Sequence, residues 1–175
     1  MMIKDILNKY QGANDALVNT ANLFTEDTFF RRPAEGKWSA AENIEHLVLV
    51  TKSMVVLFSK PEVMVERWGT VDRPSRGYDE IAEAYIKATN GAGKSPERAV
   101  PQATEPTQAS QLNKFKQMNE EYLKAVGSLT ESQLNTCQVP HPFIGNITVK
   151  EVLHFMTFHI SHHHKAIAEI LKGLN

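Results

Sequence analysis

Four long segments with apolar residues at every third or fourth position constrain this chain more than any other feature. The first covers about residues 3–24, the second 39–59 and the third 112–127, and the fourth begins at Thr148 and reaches Ile170. Apolar residues at this spacing lie on one face of an α-helix, whose period is about 3.6 residues. The pattern predicts an all-α chain with four long helices.

Local signals place the ends of these helices. Residues 39–42 (Ser-Ala-Ala-Glu) form a capping box, in which the hydroxyl and the carboxylate each satisfy a backbone N–H. Residues 148–151 (Thr-Val-Lys-Glu) form a second box, flanked by Ile147 and Val152 at the positions of a hydrophobic staple. Two helix stops and one further short helix are also predicted, at Pro61, at Gly127 and from Thr130.

About fifty residues between the second and third long helices have a different character. They hold several prolines and glycines, namely Pro61, Pro74, Pro96, Pro101, Pro106, Gly69, Gly77, Gly91 and Gly93. One weak helix is predicted at about residues 78–89. Such a stretch is often a lid or a binding loop, and a plain surface crossover between two bundle helices explains it equally well.

The segment before the fourth helix, residues 138–146, is predicted to be a stiff loop. Pro140 and Pro142 lie within it, and proline is not tolerated in a central β-strand because it cannot donate to the ladder.

Composition narrows the class of protein. Hydrophobic residues make up 42% and charged residues 22% of the chain, as in ordinary globular proteins. A net charge of -1 without a Lys/Arg stripe argues against nucleic acid as a main partner. The single Cys137 excludes an internal disulfide, fits a reducing compartment and is expected to be packed.

The sequence predicts no targeting or membrane segment. No apolar signal region follows Met1, and the longest apolar run, residues 54–58, is far shorter than the ~20 residues that cross a bilayer. We therefore expect one cytoplasmic domain over residues 1–175 that binds no membrane.

Five histidines lie in the fourth helix, and a helical wheel separates them. His159 and His163 are four residues apart on the apolar stripe, stacked with a rotation of roughly 40°. His154 and His164 are predicted to point to solvent, and His162 lies roughly 60° off the stripe. Two buried imidazoles need polar partners, and separate hydrogen bonds or one shared divalent metal would satisfy them equally well.

Three further residues stay open on spacing alone. His46 lies beside the main apolar stripe of the second helix and faces either a cavity or solvent. Glu42, one turn earlier, is explained by its capping role, with a carboxylate near a metal or a general base as the alternative. His141 either lines the mouth of a pocket or is a solvated loop histidine.

Three stretches resemble the DinB-like (DinB/YfiT) superfamily of four-helix metalloproteins: KWSAAENIEHL at residues 37–47, HPFIGNITVKE at residues 141–151 and HISHH at residues 159–163. The resemblance implies an up-down-down-up four-helix bundle with a long crossover between helices two and three. It also implies a divalent metal bound by His46, His159 and His163, which settles the open question on His46.

The resemblance also has departures. Relatives often continue the last motif with Arg and Gln, where this chain has His164 and Ala166. A particular activity is therefore not carried over, whereas the three histidines do not depend on those positions.

The resemblance points to a metal-dependent enzyme that acts on a small molecule. A three-imidazole site leaves an open position at which water or a low-molecular-weight thiol is activated, for hydrolysis or thiol-dependent S-transfer. Zinc or nickel is expected in an all-nitrogen site. The alternative is a non-catalytic metal-binding or ligand-binding bundle protein.

Two more hypotheses concern the surroundings of this site. Part of the crossover, residues 61–106, is expected to cover the metal and form a substrate-selective wall, so deletion of residues 91–104 would leave metal content nearly intact. A homodimer is also expected, because relatives often pair and the second helix is apolar on more than one side.

Overall fold

The four long helices are present in the computed structural model of the chain, which describes residues 2–90 and 94–174. They are α1 (Ile3–Ala21), α3 (Ala40–Phe58), α6 (Gln108–Gly127) and α8 (Val149–Lys172). Shorter elements connect them: α2 (Glu26–Phe30), α4 (Pro61–Trp68), α5 (Tyr78–Thr89), a 3-10 turn (Glu97–Ala99) and α7 (Glu131–Thr136). The prediction of a helical chain with four long helices is confirmed.

The long helices pack as a four-helix bundle around one apolar core. α1 packs on α8 and α3 packs on α6, while α3 also contacts α8. Large side chains from all four helices are buried between them, including Leu17, Ile44, Phe115 and Ile160. Each such side chain contributes about 1.5–3 kcal/mol to folding through its removal from water. The up-down-down-up order of helix directions stays a prediction.

The predicted capping boxes are confirmed. The Glu42 backbone N–H donates to Ser39 Oγ over 3.1 Å, and the Ser39 N–H donates to Glu42 Oε2 over 2.8 Å. At α8 the same exchange joins Thr148 and Glu151 over 3.1 and 2.9 Å. These bonds fix where α3 and α8 begin, and therefore fix the position of the following histidines along each helix.

The loop predicted at residues 138–146 is wrong. Strands β1 (Gln138–His141) and β2 (Gly145–Thr148) form an antiparallel hairpin in which Gln138 pairs with Thr148 and His141 with Gly145. Proline is excluded only from central strands, and a two-stranded ribbon has free edges that tolerate Pro140. Gly145 has a positive φ of 73°, which suits glycine at the turn.

The crossover from residue 59 to residue 107 is more structured than its composition predicts. α5 has the predicted bounds, but α4 was missed because Pro61, which ends α3, also occupies the first turn of the next helix. The short α2 was also missed; it buries Phe29.

Two arginines tie the crossover to the start of α8. Arg73 Nη1 and Nη2 bind the two carboxylate oxygens of Glu151 over 2.6 and 2.9 Å, and the Arg76 Nε–H donates to Oε1 over 3.0 Å. The Glu151 side chain is fully buried. Burial opposes its ionisation, but the hydrogen bonds of Arg73, Arg76 and the backbone outweigh burial and lower the pKa of Glu151 to about 2. Glu151 therefore anchors both the crossover and the helix that carries two of the candidate ligands.

Two smaller expectations can be compared with the structure. Cys137 is buried, as predicted. No helix within residues 2–90 and 94–174 is long and apolar enough to cross a membrane.

Candidate metal centre

Three histidine side chains converge between α3 and α8. His46 comes from α3, and His159 and His163 come from successive turns of α8. The Nε2 atom of His159 lies 3.2 Å from His46 Nε2 and 3.1 Å from His163 Nε2. All three residues are buried. The structure thus brings together the three residues that the sequence and the resemblance predicted.

Hydrogen-bond acceptors beside the Nδ1 atoms of two histidines determine which ring nitrogen carries the proton. His46 Nδ1 lies 2.6 Å from the Ala99 carbonyl oxygen, and His163 Nδ1 lies 2.8 Å from Asn43 Oδ1. Both oxygens only accept, so each Nδ1 donates and each Nε2 presents a lone pair. Asn43 is itself oriented, because its Nδ2 donates to the Ser39 carbonyl over 2.8 Å.

His159 cannot satisfy both of those lone pairs. Its Nε2 faces two acceptors but carries at most one proton in a neutral ring. Its Nδ1 is buried and has no hydrogen-bond partner among the described residues. A core held by hydrogen bonds alone therefore leaves a buried lone pair unmatched, at a cost of about 1–3 kcal/mol.

A divalent cation fits this donor set. Zinc–nitrogen bonds of about 2.0–2.1 Å in a tetrahedral arrangement hold the nitrogens roughly 3.3 Å apart. The two observed separations of 3.2 and 3.1 Å are close to that spacing. Three converging imidazole lone pairs match the ligands that zinc and nickel prefer.

Burial keeps the three rings neutral. Desolvation lowers the pKa of His46, and it lowers the pKa of His159 and His163 well below the ordinary value, with smaller repulsion from neighbouring histidines. Neutral imidazole is the form that binds a metal.

Aromatic rings restrict the orientation of the histidines. Trp38 packs on His46 with ring centroids 5.0 Å apart and stacks on His163 at 6.3 Å. Phe155, one turn before His159, stacks on that ring at 5.1 Å. These contacts prearrange the rings, so little conformational freedom is lost when a ligand binds.

Two spaces open next to the three nitrogens, and His46 and His159 line both. The first, here called the apolar pocket, has a volume of about 100 Å³ and is lined by residues such as Val50, Met54, Phe143 and Phe155. The second, here called the basic cleft, has a volume of about 600 Å³ and is lined by Lys37, Lys94 and His162 among others. A small molecule can therefore reach the nitrogens from two sides.

The other candidates from the sequence have different outcomes. Glu42 binds Arg32 and caps α3, and it lines neither the apolar pocket nor the basic cleft, so its capping role accounts for it. His141 lines the apolar pocket, as one of the two readings predicted. Its Nδ1 accepts the Phe143 N–H over 3.2 Å, and burial lowers the pKa of His141 to about 4.

The prediction that His154 and His164 point to solvent is wrong. His154 is buried, at 3% exposure, and His164 is half-buried with Nε2 2.7 Å from Thr20 Oγ1 on α1. The wheel assumed one buried face, whereas α8 contacts α1, α3, α5 and α7 and is buried on several. His162 is half-buried at the basic cleft.

Several residues of the site were missed from the sequence. Asn43 and Trp38 lie within the stretch that resembles the superfamily, but no role was predicted for them. The Ala99 carbonyl carries no sequence signal, because any residue supplies one. The role of Asn43 could have been predicted from the sequence, because a polar residue three positions before His46 lies on the same helix face.

The crossover contributes residues to the walls of both spaces, whereas its predicted role in substrate selection stays a prediction. Tyr85 and Ser95 line both spaces, and Ala99 lines the apolar pocket and holds His46. Deletion of residues 91–104 would remove that carbonyl, so we expect the deletion to weaken metal affinity as well as to open the walls. Residues 91–93, part of that deletion, lie outside the described residues.

Comparison with known proteins places this geometry in a family. No curated protein matches the chain. Two solved structures share its fold. TT2238, described as a four-helix bundle protein, is 15% identical with a TM-score of 0.60, and the match covers 96% of this chain and 99% of TT2238. YfiT from Bacillus subtilis is 15% identical with a TM-score of 0.61, and the match covers 99% of this chain and 90% of YfiT. YfiT is described as a probable metal-dependent hydrolase with an unusual four-helix bundle topology. A sequence model of the DinB superfamily matches residues 9–167, most of the chain, and the protein therefore belongs to the DinB superfamily.

Proposed function

We propose that the protein is a metal-dependent enzyme that binds one divalent cation through His46, His159 and His163 and hydrolyses a small molecule. The observation that carries the proposal is that His159 Nε2 lies 3.2 Å from His46 Nε2 and 3.1 Å from His163 Nε2. Two lone pairs are thus directed at a third ring that cannot satisfy both. Zinc or nickel is the expected cation.

When bound, a divalent cation held by three neutral imidazoles supplies Lewis acidity at an open coordination position, where water loses a proton more readily. The chain's own residues prepare that position. Ala99 and Asn43 fix the tautomers of His46 and His163, and Trp38 and Phe155 hold the rings in place. Partners of this kind typically change metal affinity by about 10–100-fold when they are removed.

YfiT, which shares this fold, is described as a probable metal-dependent hydrolase. A likeness at 15% identity supports the fold, so the reaction itself rests on the chemistry of the site. The part of the chain that the structure describes offers no competing thiol nucleophile, because Cys137 is buried and lines neither space.

Thiol-dependent S-transfer to a small molecule is the second candidate. The observation in its favour is that two separate spaces share walls at His46 and His159. A reaction between two molecules needs two binding spaces that meet at one centre, and the open position would suit a low-molecular-weight thiol.

The test compares activity with and without metal. Zinc- and nickel-loaded protein is screened against panels of esters, amides and phosphate esters, and separately against electrophiles with glutathione, bacillithiol or mycothiol. Activity is expected to vanish on chelation and in a His46→Ala variant, while a Glu42→Gln variant retains metal-dependent turnover. Turnover that survives in His46→Ala would refute the proposal, and a metal-loaded protein inert in both panels would favour the non-catalytic alternative.

A further inference from the structure

The two spaces beside the three nitrogens differ in chemistry. The walls of the apolar pocket are mostly aliphatic and aromatic side chains, including Val50, Met54, Val152, Phe155 and Met156. Arg98 is the one formally charged side chain among the described residues that line it. A ligand group that enters this pocket is therefore apolar.

The size of the apolar pocket limits that group. A dry cavity of about 150 Å³ in a protein core holds benzene, a six-carbon ring. The apolar pocket has a volume of about 100 Å³. In the same proportion it holds a group of about four carbons.

The basic cleft selects for charge. Lys37 and Lys94 are exposed on its wall, and half-buried His162 lies beside them. No carboxylate occurs among the described residues that line it. Neither lysine forms an ion pair with another described residue, whereas Lys114 and Lys172 do.

This positive character is local. The whole chain has 19 basic and 20 acidic residues and a net charge of -1. Among the described residues, however, every formally charged side chain that lines the two spaces is basic: Lys37, Lys94 and Arg98. Walls with one sign of charge attract ligands of the opposite sign.

We propose that the centre accepts a small organic anion, a carboxylate or a phosphate, whose charged group lies in the basic cleft beside Lys37 and Lys94. Its compact apolar group occupies the apolar pocket, so the bond between the two groups lies beside His46 and His159, which line both spaces. Only the role of this molecule as the substrate rests on the proposed function. Its binding depends on the side chains of the protein itself.

The test uses four probes: pentanoate and butyl phosphate carry both groups, acetate lacks the butyl chain, and 1-butanol lacks the charge. Trp38 fluorescence in a Trp68→Phe protein reports the basic cleft, because Trp38 lines that cleft and Trp68 lines neither space. Methyl signals of labelled Met54 and Met156 report the apolar pocket. Each probe is titrated into the protein as purified and after chelation.

Pentanoate or butyl phosphate is expected to change both signals and to bind at least tenfold more tightly than acetate or 1-butanol in the chelated protein. The relative affinity of these two probes shows whether the anion is a carboxylate or a phosphate. A Val50→Phe variant, which fills the pocket, should remove the methyl shifts. Independent binding of acetate and 1-butanol, with no gain for the linked probes, would overturn the proposal and favour a two-substrate reaction.

A charge variant completes the test. The Lys37→Gln/Lys94→Gln double variant should bind pentanoate about three- to tenfold more weakly, as expected for exposed ion pairs. Its matched control is Lys52→Gln/Lys116→Gln, two exposed lysines that line neither space. Equal affinity in both double variants would overturn the role of the cleft. Since the deciding titrations use chelated protein, a failure to bind metal would refute the proposed function without deciding this inference.

Discussion

Two of the buried polar clusters in the bundle differ in what their unmatched atoms can do. The first is the candidate metal centre of His46, His159 and His163. The second, here called the tyrosine cluster, joins Tyr10, Asn14, Thr51, Asn119 and Tyr122 between α1, α3 and α6. In each cluster some buried polar atoms have no hydrogen-bond partner among the described residues.

In the tyrosine cluster the unmatched atoms are the Tyr122 and Thr51 hydroxyls and Asn14 Oδ1. A hydroxyl both donates and accepts, and the Asn14 Oδ1 oxygen can accept from a hydroxyl, so these groups can be satisfied by small rotations or by one water. In the candidate metal centre His159 Nδ1 has no partner in the described part of the chain, and the Nε2 lone pairs of His46 and His163 converge on His159 Nε2, which carries at most one proton. A second proton or a cation is needed to match them. None of the five residues of the tyrosine cluster lines the apolar pocket or the basic cleft. Burial of polar groups therefore does not identify a site; convergence of acceptors beside open space does.

Among the buried polar groups, Glu151 should have the greatest effect on stability, because Arg73 and Arg76 neutralise its buried charge. Its folded-state pKa of about 2 lies below the ordinary value of 4.5, so its contribution to stability is present above the ordinary value and is lost as pH falls towards 2. Integrated over that shift, about 3 kcal/mol of unfolding free energy is lost. Urea unfolding of chelated protein between pH 5 and pH 2.5 measures this loss.

The control for that titration is Glu120→Gln, on the exposed face of α6. It should show the same pH dependence as the unaltered protein, whereas Glu151→Gln should be less stable at pH 7 and flatter below pH 4.5. Equal slopes in the two variants would contradict the role of Glu151 as the anchor of α8.

Asn43 and Asn119 test the two clusters against each other. Asn43→Ala removes the acceptor that fixes the His163 tautomer and should weaken metal affinity about 10–100-fold, and Asn43→Asp should restore much of it. Asn119→Ala should lower stability and leave metal affinity unchanged. Competition with a chromophoric chelator measures both affinities, and an equal loss in the two alanine variants would show that the effect is structural.

The smallest effect is expected within the tyrosine cluster. Tyr10→Phe leaves Asn119 Oδ1 without its buried donor and should cost about 1–3 kcal/mol. Tyr122→Phe removes a hydroxyl that has no partner among the described residues and should be close to neutral. Thermal denaturation ranks the two variants, and a larger cost for Tyr122→Phe would indicate a partner for that hydroxyl.

Local signals in the sequence predicted most of the fold. The boxes at Ser39 and Thr148 and the helical periodicity are properties of neighbouring residues, so they can be read without the tertiary structure. The hairpin was missed because proline is excluded only from central strands, and the sequence does not show that this ribbon has free edges. His154 was placed wrongly because a wheel cannot show that α8 is surrounded on several sides.

The candidate site divides in the same way. Four-residue spacing on one helix was enough to pair His159 with His163. His46 comes from another helix, and only the resemblance to a family selected it. The Ala99 carbonyl, 53 residues after His46, became visible only in the structure. Contacts between distant segments thus set the limit of the sequence prediction.

Metal binding by the three histidines can be measured by counting metal ions per chain in tag-free protein with inductively coupled plasma mass spectrometry. We expect close to one zinc or nickel ion per chain and close to none in the His159→Ala/His163→Ala variant. The matched control, His162→Ala/His164→Ala, removes two histidines from the same helix and should keep the metal. Equal metal content in the two double variants would show that His159 and His163 do not hold the metal.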